Sequence, residues 1–433
     1  MEIKRDIYLN KLIAGQDNGM IKIVTGIRRC GKSYLLFKIF KDYLISQGIK
    51  EENIITLALD DENNAKYRDC NILYEYLREK IKDKRKKYFI FLDEIQLAIT
   101  KEELNKNYDK YVKLYGVLNG LLHLNNVDVY VTGSNSKLLS KDVLTEFRGR
   151  GDEIRVYPLN FAEFYSSKKK NFDVYTAWDE YCLYGGLPAV TLQNNIEKKS
   201  DYLQYHANNI YLNDIIERYN IKNKNVLSTL IEIISSNIGS LTNPVRLANI
   251  FNTELKISVT DKTISTYLDY LEDAFLIQKT KRYDVRGNHY IGTPLKYYYT
   301  DIGIRNSLIN FRQDEQEHIM ENIIYNELKV RGYSVDVGTV EINEKDKKNV
   351  SQRKQLEVDF VCNKASKRFY IQSAFALPTR EKTEQETKSL VHIKDSFKKI
   401  VITRMPSPVW RNNDGILIMD IQKFLLNPDS LDL

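Results

Sequence analysis

An eight-residue stretch near the start of the chain restricts the fold more than any other part of the sequence. Residues 26–33 read G-I-R-R-C-G-K-S, which is the pattern G-x-x-x-x-G-K-S, and the apolar residues 21–24 precede them. Residues 33–40 follow with helical periodicity and place Leu36 and Phe40 on one face. A buried strand, a glycine-rich loop and a helix in this order are typical of the phosphate-binding loop of nucleoside triphosphatases.

Each part of this loop has a predicted role in holding phosphate. The glycines let successive backbone N–H groups point at phosphate oxygens, and the helix N-terminus adds partial positive charge. We expect Lys32 to reach the β- and γ-phosphates and the hydroxyl of Ser33 to bind Mg²⁺. The predicted nucleotide-binding residues are Gly26, Ile27, Arg28, Arg29, Cys30, Gly31, Lys32, Ser33 and Tyr34. The alternative is a glycine turn in which the lysine and the serine are incidental.

Residues 88–94 form a second such feature, an apolar strand that ends in two carboxylates. A strand that is apolar throughout is typical of a parallel sheet buried on both faces, and ligands of such sheets bind at the carboxyl ends of the strands. We therefore expect Asp93 to bind Mg²⁺ and Glu94 to orient and deprotonate an attacking water. The alternative is that the two acids cap a following helix. The two patterns together predict a chain that binds ATP with Mg²⁺ and hydrolyses it.

Composition and residue spacing argue against several other classes of protein. The 433 residues are 42% hydrophobic and 28% charged, which is typical of a soluble globular protein. No apolar run approaches membrane-spanning length and the N-terminus does not resemble a signal peptide, so we expect a cytoplasmic protein without a membrane partner. The four cysteines form no C-x-x-C pair and the five histidines are isolated, which argues against a disulfide framework and a zinc site. The net charge of +7 permits nucleic-acid binding without indicating it.

Strands alternate with helical segments through residue 160, which predicts a doubly wound parallel sheet. One strand, residues 127–131, is followed by Thr132, Ser134 and Asn135. Because its carboxyl end would lie at the same edge of the sheet as the loop, Thr132, Ser134 and Asn135 could read the γ-phosphate or hold the attacking water, and we select Ser134 as the candidate catalytic residue.

Two arginines lie on a glycine-rich turn after this strand. Arg148 and Arg150, in the segment F-R-G-R-G, could reach a phosphate bound by the same chain or by a neighbouring one. An arginine there would neutralise the charge that develops in the transition state. A contact with a neighbouring chain would require a homo-oligomer. The alternative is a salt-bridged surface loop, and the spacing alone does not separate the two.

Several segments along the chain resemble one family of prokaryotic predicted ATPases. They include T-G-I-R-R-C-G-K-S, F-L-D-E-I-Q, V-T-G-S-N-S and F-R-G-R followed by Y-P-L-N-F-A-E-F. Later segments are Y-G-G-L-P at 184–188, T-I-S-T-Y-L at 263–268, E-N-I-I-Y-N-E-L at 321–328 and E-V-D-F at 357–360. The resemblance implies an α/β protein in which an AAA-type P-loop domain precedes a winged helix and a restriction-endonuclease-like domain.

The predicted organisation therefore has four parts. They are an AAA-type core at 1–165, a helical lid or linker at 166–225, a winged helix at 226–310 and a nuclease-like α/β domain at 311–433. The predicted recognition helix has Lys262 at its start and then acids: Asp269, Glu272 and Asp273. The following hairpin is more basic, with Lys279, Lys281, Arg282 and Arg286. This pattern favours hairpin contact with DNA phosphates or with a protein surface over direct readout of bases.

The resemblance also implies where a nuclease site would lie. A nuclease of this fold needs a carboxylate on one strand, then an acid and a lysine on the next, and the acids hold Mg²⁺. Here Asp359 would supply the first acid, with Glu321 or Glu327 from the preceding helix. The matching positions on the next strand are Gln372, Ser373 and Ala374.

These substitutions remove an acid and a cation that the chemistry requires. A neutral amide is a poor replacement for a carboxylate as a ligand of Mg²⁺, and alanine carries no charge. We therefore expect a fold that is retained for binding or assembly, without cleavage. The alternative is a nuclease site rebuilt from side chains such as Glu357 or Lys367.

The predicted function is an ATPase that couples its nucleotide state to a DNA or protein partner. A second hypothesis is a nucleotide-gated DNA-binding regulator with little turnover, and a third is an active metal-dependent nuclease. A motor would hydrolyse ATP faster on its polymer, whereas a switch would turn over slowly and change its oligomeric state with ATP.

Overall fold

A parallel sheet forms the centre of the first of two units in the computed structural model of this chain. The structure describes residues 3–100, 102–103, 112–134, 150–168, 171–312, 315–345 and 351–433. It separates the chain into two compact units, residues 1–158 with 273–275 and residues 159–272 with 276–433. Within the described ranges, no helix has both the length and the apolar composition needed to cross a membrane.

The first unit is an α/β unit. Its strands are β1 Ile21–Thr25, β2 Ile54–Ala58, β3 Tyr88–Asp93, β4 Val127–Gly133 and β5 Gly151–Arg155. Its helices are α1 Asp6–Ala14, α2 at 32–46 with π-helical turns at Leu35–Phe40, α3 Cys70–Lys80 and α4 Lys113–Leu122, with short 3₁₀ helices at Glu51–Asn53, Glu62–Arg68 and Ile95–Ala98. The strands pair in the order β2-β3-β4-β1-β5, and these pairings are parallel. The predicted parallel sheet is confirmed.

Aromatic packing holds α2 against this sheet. The ring centroid of Phe40 lies 4.9 Å from that of Tyr130 on β4 and 5.6 Å from that of Phe91 on β3. All three side chains are buried, and burial of each contributes roughly 2–3 kcal/mol to folding. This packing fixes the direction of α2, whose first turn carries Lys32 and Ser33.

The chain beyond residue 158 contains more helices and a mixed sheet. The helices are α5 Phe161–Ser166, α6 Val174–Tyr184, α7 Pro188–Thr191, α8 at 196–218, α9 Lys224–Ser236, α10 at 244–254, α11 Asp261–Asp273, α12 Ile302–Leu308, α13 Gln316–Val330, α14 Arg380–Val391 and α15 Ile421–Leu426. The strands are β6 Ile277–Asp284, β7 His289–Tyr299, β8 Ser334–Lys345, β9 Ser351–Lys364, β10 Lys367–Ala374, β11 Lys398–Thr403, β12 Trp410–Arg411 and β13 Leu417–Asp420. They form one sheet in the order β12-β13-β11-β10-β9-β8-β6-β7.

Two adjacent glycines end α6 and contact a buried carboxylate. A Cβ added at Gly185, where φ is +70°, would lie 2.3 Å from Oδ1 of Asp301, and one added at Gly186 would lie 2.0 Å from the carbonyl oxygen of Leu159. Asp301 accepts hydrogen bonds from the N–H of Gly186 at 2.8 Å and of Ile304 at 3.0 Å. Burial raises the pKa of Asp301 to about 6. The segment Y-G-G-L-P is therefore a helix stop, as predicted, and also a close packing point.

Helices α9, α10 and α11 precede the β6–β7 hairpin in the order expected for residues 226–310. Strand β6 also pairs in parallel with β8, where Arg282 lies opposite Val337. The hairpin is therefore the edge of the sheet that contains the C-terminal strands, a pairing that the sequence did not predict. The assignments of a winged helix and of a restriction-endonuclease-like domain remain predictions.

Candidate nucleotide-binding site

The glycine-rich loop follows β1 and turns sharply into α2. Gly26 has a φ of +143° and Gly31 a φ of +98°, values that glycine adopts without strain. A Cβ added at Gly26 would lie 2.1 Å from the carbonyl oxygen of Val156, whose N–H donates to Thr25 at 2.8 Å. Cys30 is buried and its Sγ donates to the same carbonyl at 3.4 Å. A larger residue at Gly26 would therefore push the loop off the chain that follows β5.

Lys32 begins α2 with its ammonium folded over the loop. The residue is 4% exposed, and Nζ donates to the carbonyl oxygens of Gly26 at 3.0 Å and of Ile27 at 3.1 Å. The loop thus has a cation beside a helix N-terminus, which favours anions through its N–H groups. Of the other predicted nucleotide-binding residues, Arg28 is half-buried, and Arg29, Ser33 and Tyr34 are exposed.

The two predicted metal ligands contact each other. Asp93 ends β3, is 4% exposed, and accepts hydrogen bonds from the hydroxyls of Ser33 and Thr132. Burial raises the pKa of Asp93, and these two hydrogen bonds oppose the rise. Within the described part of the chain, hydroxyls rather than a lysine or an arginine are its side-chain partners. Asp93 is therefore a buried carboxylate whose side-chain partners among the described residues are neutral hydroxyls.

Glu94 follows in a strained backbone conformation. Its φ of +51° lies in the left-handed region, which costs a non-glycine residue roughly 1–2 kcal/mol. Its N–H donates to Oγ1 of Thr132 at 3.1 Å. Its Oε2 accepts from the amide of Gln96 and from the hydroxyl of Ser134 at 3.4 Å. Strain at a strand end that is fixed by several hydrogen bonds is a feature of functional sites.

Ser134 connects this carboxylate with the loop. The residue is 2% exposed, and its Oγ accepts from Nε of Arg28 at 3.4 Å. Arg28, Ser134 and Glu94 therefore form one series of hydrogen bonds that joins the loop to the ends of β4 and β3. The sequence predicted all three residues as site residues but not their connection.

The sequence did not predict the contacts of two further residues, Thr132 and Gln96. Thr132 was predicted, with Ser134 and Asn135, as a polar group that could read the γ-phosphate or hold the attacking water, but its hydrogen bonds to both acids follow from the pairing of β3 with β4. Gln96 received no role, although it lies two residues after Glu94 in the segment F-L-D-E-I-Q.

The structure places Arg150 far from the loop. Its carbonyl oxygen accepts from the N–H of Ile21 at 2.9 Å, at the amino end of β1, whereas the loop follows the carboxyl end. The five residues of β1 span roughly 16 Å, farther than an arginine side chain reaches. The prediction that Arg150 contacts a phosphate bound by its own chain is therefore wrong. Arg148 and Asn135 lie outside the described residues.

Comparisons with known proteins relate the chain to two families of domains and to two relatives. Residues 18–165 match a family described as AAA domain, and residues 175–315 match a domain of unknown function, DUF8612. An uncharacterized protein of Haemophilus influenzae is 36% identical over 404 residues, which cover 93% of each chain. The uncharacterized protein MJ1544 of Methanocaldococcus jannaschii is 30% identical over 375 residues, 83% of this chain and 74% of that one.

Solved structures resemble the chain only weakly. Cdc6p from Pyrobaculum aerophilum is 8% identical with a TM-score of 0.29, and the match covers 75% of this chain and 96% of that one. The Aeropyrum pernix ORC1 protein, solved in complex with DNA, is 12% identical with a TM-score of 0.29 over 71% and 92% of the two chains. Scores this low do not demonstrate a common fold. The chain belongs to the protein family of its Haemophilus and Methanocaldococcus relatives, and its residues 18–165 match the family described as AAA domain.

Proposed function

We propose that the first unit binds ATP with Mg²⁺ and hydrolyses its terminal phosphate. The observation that carries this proposal is the contact between Ser33 and Asp93 beside a glycine-rich loop with a buried lysine. A hydroxyl and a carboxylate are oxygen ligands that suit Mg²⁺, together with phosphate oxygens and waters. When bound, Mg²⁺ would neutralise charge on the β- and γ-phosphates.

Lys32 would exchange its partners when nucleotide binds. Its ammonium donates to two loop carbonyls, which are neutral acceptors. Phosphate oxygens are charged and accept stronger hydrogen bonds from an ammonium than carbonyls do. Lys32 would therefore leave the loop carbonyls for the β- and γ-phosphates, and the loop N–H groups would bind the remaining oxygens.

Glu94 would act as the general base. Gln96 and Ser134 both donate to Oε2, so that Oε1 remains available to accept a proton from the attacking water. Ser134 also accepts from Arg28, and a γ-phosphate near the loop would compete for that arginine. The presence of nucleotide would in this way change how firmly Glu94 is held.

Two substitutions separate binding from hydrolysis. Lys32→Ala should abolish binding of a fluorescent ATP analogue, because the phosphates lose their cation. Glu94→Gln should bind the analogue normally and release phosphate about 10²–10⁴-fold more slowly. Glu79→Gln on the exposed side of α3 is the matched control and should match the parent. A Glu94→Gln protein that hydrolyses ATP at the parental rate would contradict the assignment of the base.

We infer that the second unit carries the partner site, and that the partner is a protein rather than DNA. The basic hairpin residues already have partners: Lys279 pairs with Asp269 at 3.3 Å and Glu272 at 2.7 Å, and Lys281 lies over the ring of Tyr290. Phosphate binding by these two lysines would break those contacts.

A groove beside the hairpin supports the same choice. It has a volume of about 840 Å³ and lies between α10 and α11. Arg246 and Lys262 line it together with Glu254 and Asp261, and this mixture of charges suits a protein surface better than a row of phosphates.

Stimulation of hydrolysis distinguishes the two partners. We expect duplex DNA, single strands and RNA to change the ATPase rate by less than about twofold at physiological salt. Stimulation by duplex DNA that is lost in an Arg246→Ala, Lys262→Ala double variant would instead establish DNA as the partner. Slow turnover with an ATP-dependent change of oligomeric state would favour a regulator over a motor.

A further inference from the structure

Three carboxylates of the second unit converge on one buried lysine. Nζ of Lys296 on β7 lies 2.8 Å from Oε1 of Glu321 on α13 and 2.7 Å from Oε1 of Glu357 on β9. Asp359, two residues farther along β9, is buried beside them and acts on the lysine through its charge. The exposed fraction of the Lys296 side chain is 5%. This set, named here the Lys296 cluster, contains the acids that the resemblance implied for a nuclease.

The Lys296 cluster does not fit a divalent cation. In a metal site, carboxylate oxygens lie about 2.0–2.6 Å from Mg²⁺ or Ca²⁺, and the cation occupies the space between them. Here the ammonium occupies that space and contacts two of the three acids at hydrogen-bonding distance. The third acid, Asp359, accepts from the backbone N–H of Ser373 at 2.8 Å. Within the described residues, no group of three acidic, histidine or cysteine side chains has the arrangement of a metal site.

Neighbouring groups fix the lysine in place. The hydroxyl of Tyr298 donates to the same Glu321 oxygen at 2.6 Å, and its ring stacks on that of Tyr325 at 4.2 Å. Burial lowers the pKa of Lys296, but the three carboxylates together raise it above its ordinary value. Burial raises the pKa of Glu321, but Lys296 lowers it to about 2. The ammonium is therefore charged and paired across the physiological pH range.

We propose that Lys296 is a permanent internal cation that takes the place of a divalent metal, so that the acids of the Lys296 cluster bind no Mg²⁺ and cleave no nucleic acid. The lysine also joins the hairpin strand β7 to α13 and β9, so that one side chain both neutralises the acids and holds the edge of the sheet. This inference does not depend on the proposed ATPase.

Lys296 lies about 60 residues before the strands that would carry a nuclease motif, so the sequence of those strands alone does not reveal it as a partner of the acids. Neither Glu357 nor Lys367 rebuilds a metal site: Glu357 is a partner of Lys296, and Lys367 pairs with Asp432 at 2.8 Å. Glu327, the other acid considered from the helix, pairs with Arg331 at 2.7 Å.

Removal of the lysine should create a metal site. The test uses the full chain with Asp93→Asn, so that the first unit contributes no metal signal, and measures Mn²⁺ binding by titration calorimetry without nucleotide. The Asp93→Asn protein should have no Mn²⁺ site tighter than about 1 mM. The double variant Asp93→Asn, Lys296→Ala should have one with a Kd of roughly 10⁻⁴ M or tighter. Adding Asp359→Asn should weaken that site at least about tenfold. Lys279→Ala, which removes an exposed lysine of the same hairpin, is the control and should bind no Mn²⁺.

Two results would overturn the proposal. One is a folded Lys296→Ala protein that binds no Mn²⁺. The other is a parent protein whose Mn²⁺ binding, or whose cleavage of plasmid DNA with Mg²⁺ or Mn²⁺, disappears with Asp359→Asn. The second result is measured on the parent and on Asp359→Asn, so it decides the question even if Lys296→Ala fails to fold.

Discussion

Buried carboxylates that the sequence marked as candidate Mg²⁺ ligands lie in two places, and they differ in the groups that contact them. At the end of β3, Asp93 accepts from the hydroxyls of Ser33 and Thr132. In the Lys296 cluster, the ammonium of Lys296 donates to Glu321 and pairs with Glu357. A hydroxyl turns readily toward a new ligand, whereas an ammonium competes with a metal for the same oxygens.

The pKa values of these acids show the same difference. Burial raises the pKa of Asp93, and the groups that lower it are the hydroxyls of Ser33 and Thr132. Lys296 instead lowers the pKa of Glu321 to about 2 against the effect of burial. In the same cluster, burial and the charge of Glu321 raise the pKa of Asp359, since the one lysine is shared. An acid that contacts only hydroxyls can receive a cation from outside, whereas removal of the lysine from an acid that is already paired would leave a buried charge uncompensated.

The largest expected effect is on stability and compares two buried lysines. Lys296→Ala should lower the free energy of unfolding by about 3–5 kcal/mol, because it leaves buried acids unpaired. Lys32→Ala removes only hydrogen bonds to carbonyls that water can replace, so the loss should be about 1–2 kcal/mol. Chemical denaturation followed by circular dichroism measures both. Equal losses would remove the proposed difference between the two sites.

The next prediction exchanges one carboxylate at each site. Asp93→Asn should slow ATP hydrolysis at least about 10²-fold, because Mg²⁺ loses a charged oxygen. Asp359→Asn should leave the rate unchanged. Phosphate release at saturating Mg²⁺ and ATP measures both rates. A comparable slowing by Asp359→Asn would show that the second unit takes part in hydrolysis.

A further prediction concerns charge supplied by another chain. Because Arg150 cannot reach the loop of its own chain, any role in hydrolysis requires assembly. The specific ATPase activity should then rise with protein concentration, and Arg148→Ala with Arg150→Ala should bind ATP normally but hydrolyse it about tenfold more slowly. Activity that stays constant from micromolar to low nanomolar protein would support the surface-loop alternative.

The smallest effect is on the pH dependence of stability, and it has opposite signs at the two sites. The pKa of Glu321 is lowered on folding, so its contribution is present above pH 4.5 and is lost as the pH falls toward 2; Glu321→Gln should remove this acid-side loss. The pKa of Asp93 is raised, so its buried charge destabilises the fold as the pH rises through that pKa. Asp93→Asn should therefore be more stable relative to the parent at pH 8 than at pH 4. Urea denaturation across this range, without nucleotide, measures both.

The sequence predicted what is local and missed what depends on pairing between distant segments. The loop, the β3 acids and Ser134 follow strands that are recognisable from their own residues. The prediction for Arg150 was wrong because its distance from the loop depends on the strand order β4-β1-β5 and on the direction of β5. Neither can be predicted from a single segment of the sequence. Lys296 was missed for the same reason: only the pairing of β6 with β8 brings the hairpin to the acids of α13 and β9.

The most direct test of this account counts the Mn²⁺ bound per chain with a non-hydrolysable ATP analogue, measured by electron paramagnetic resonance. We expect about one Mn²⁺ per chain that appears only with the nucleotide, is lost in Asp93→Asn and is retained in Asp359→Asn. A second Mn²⁺ that binds without nucleotide and is lost in Asp359→Asn would contradict it.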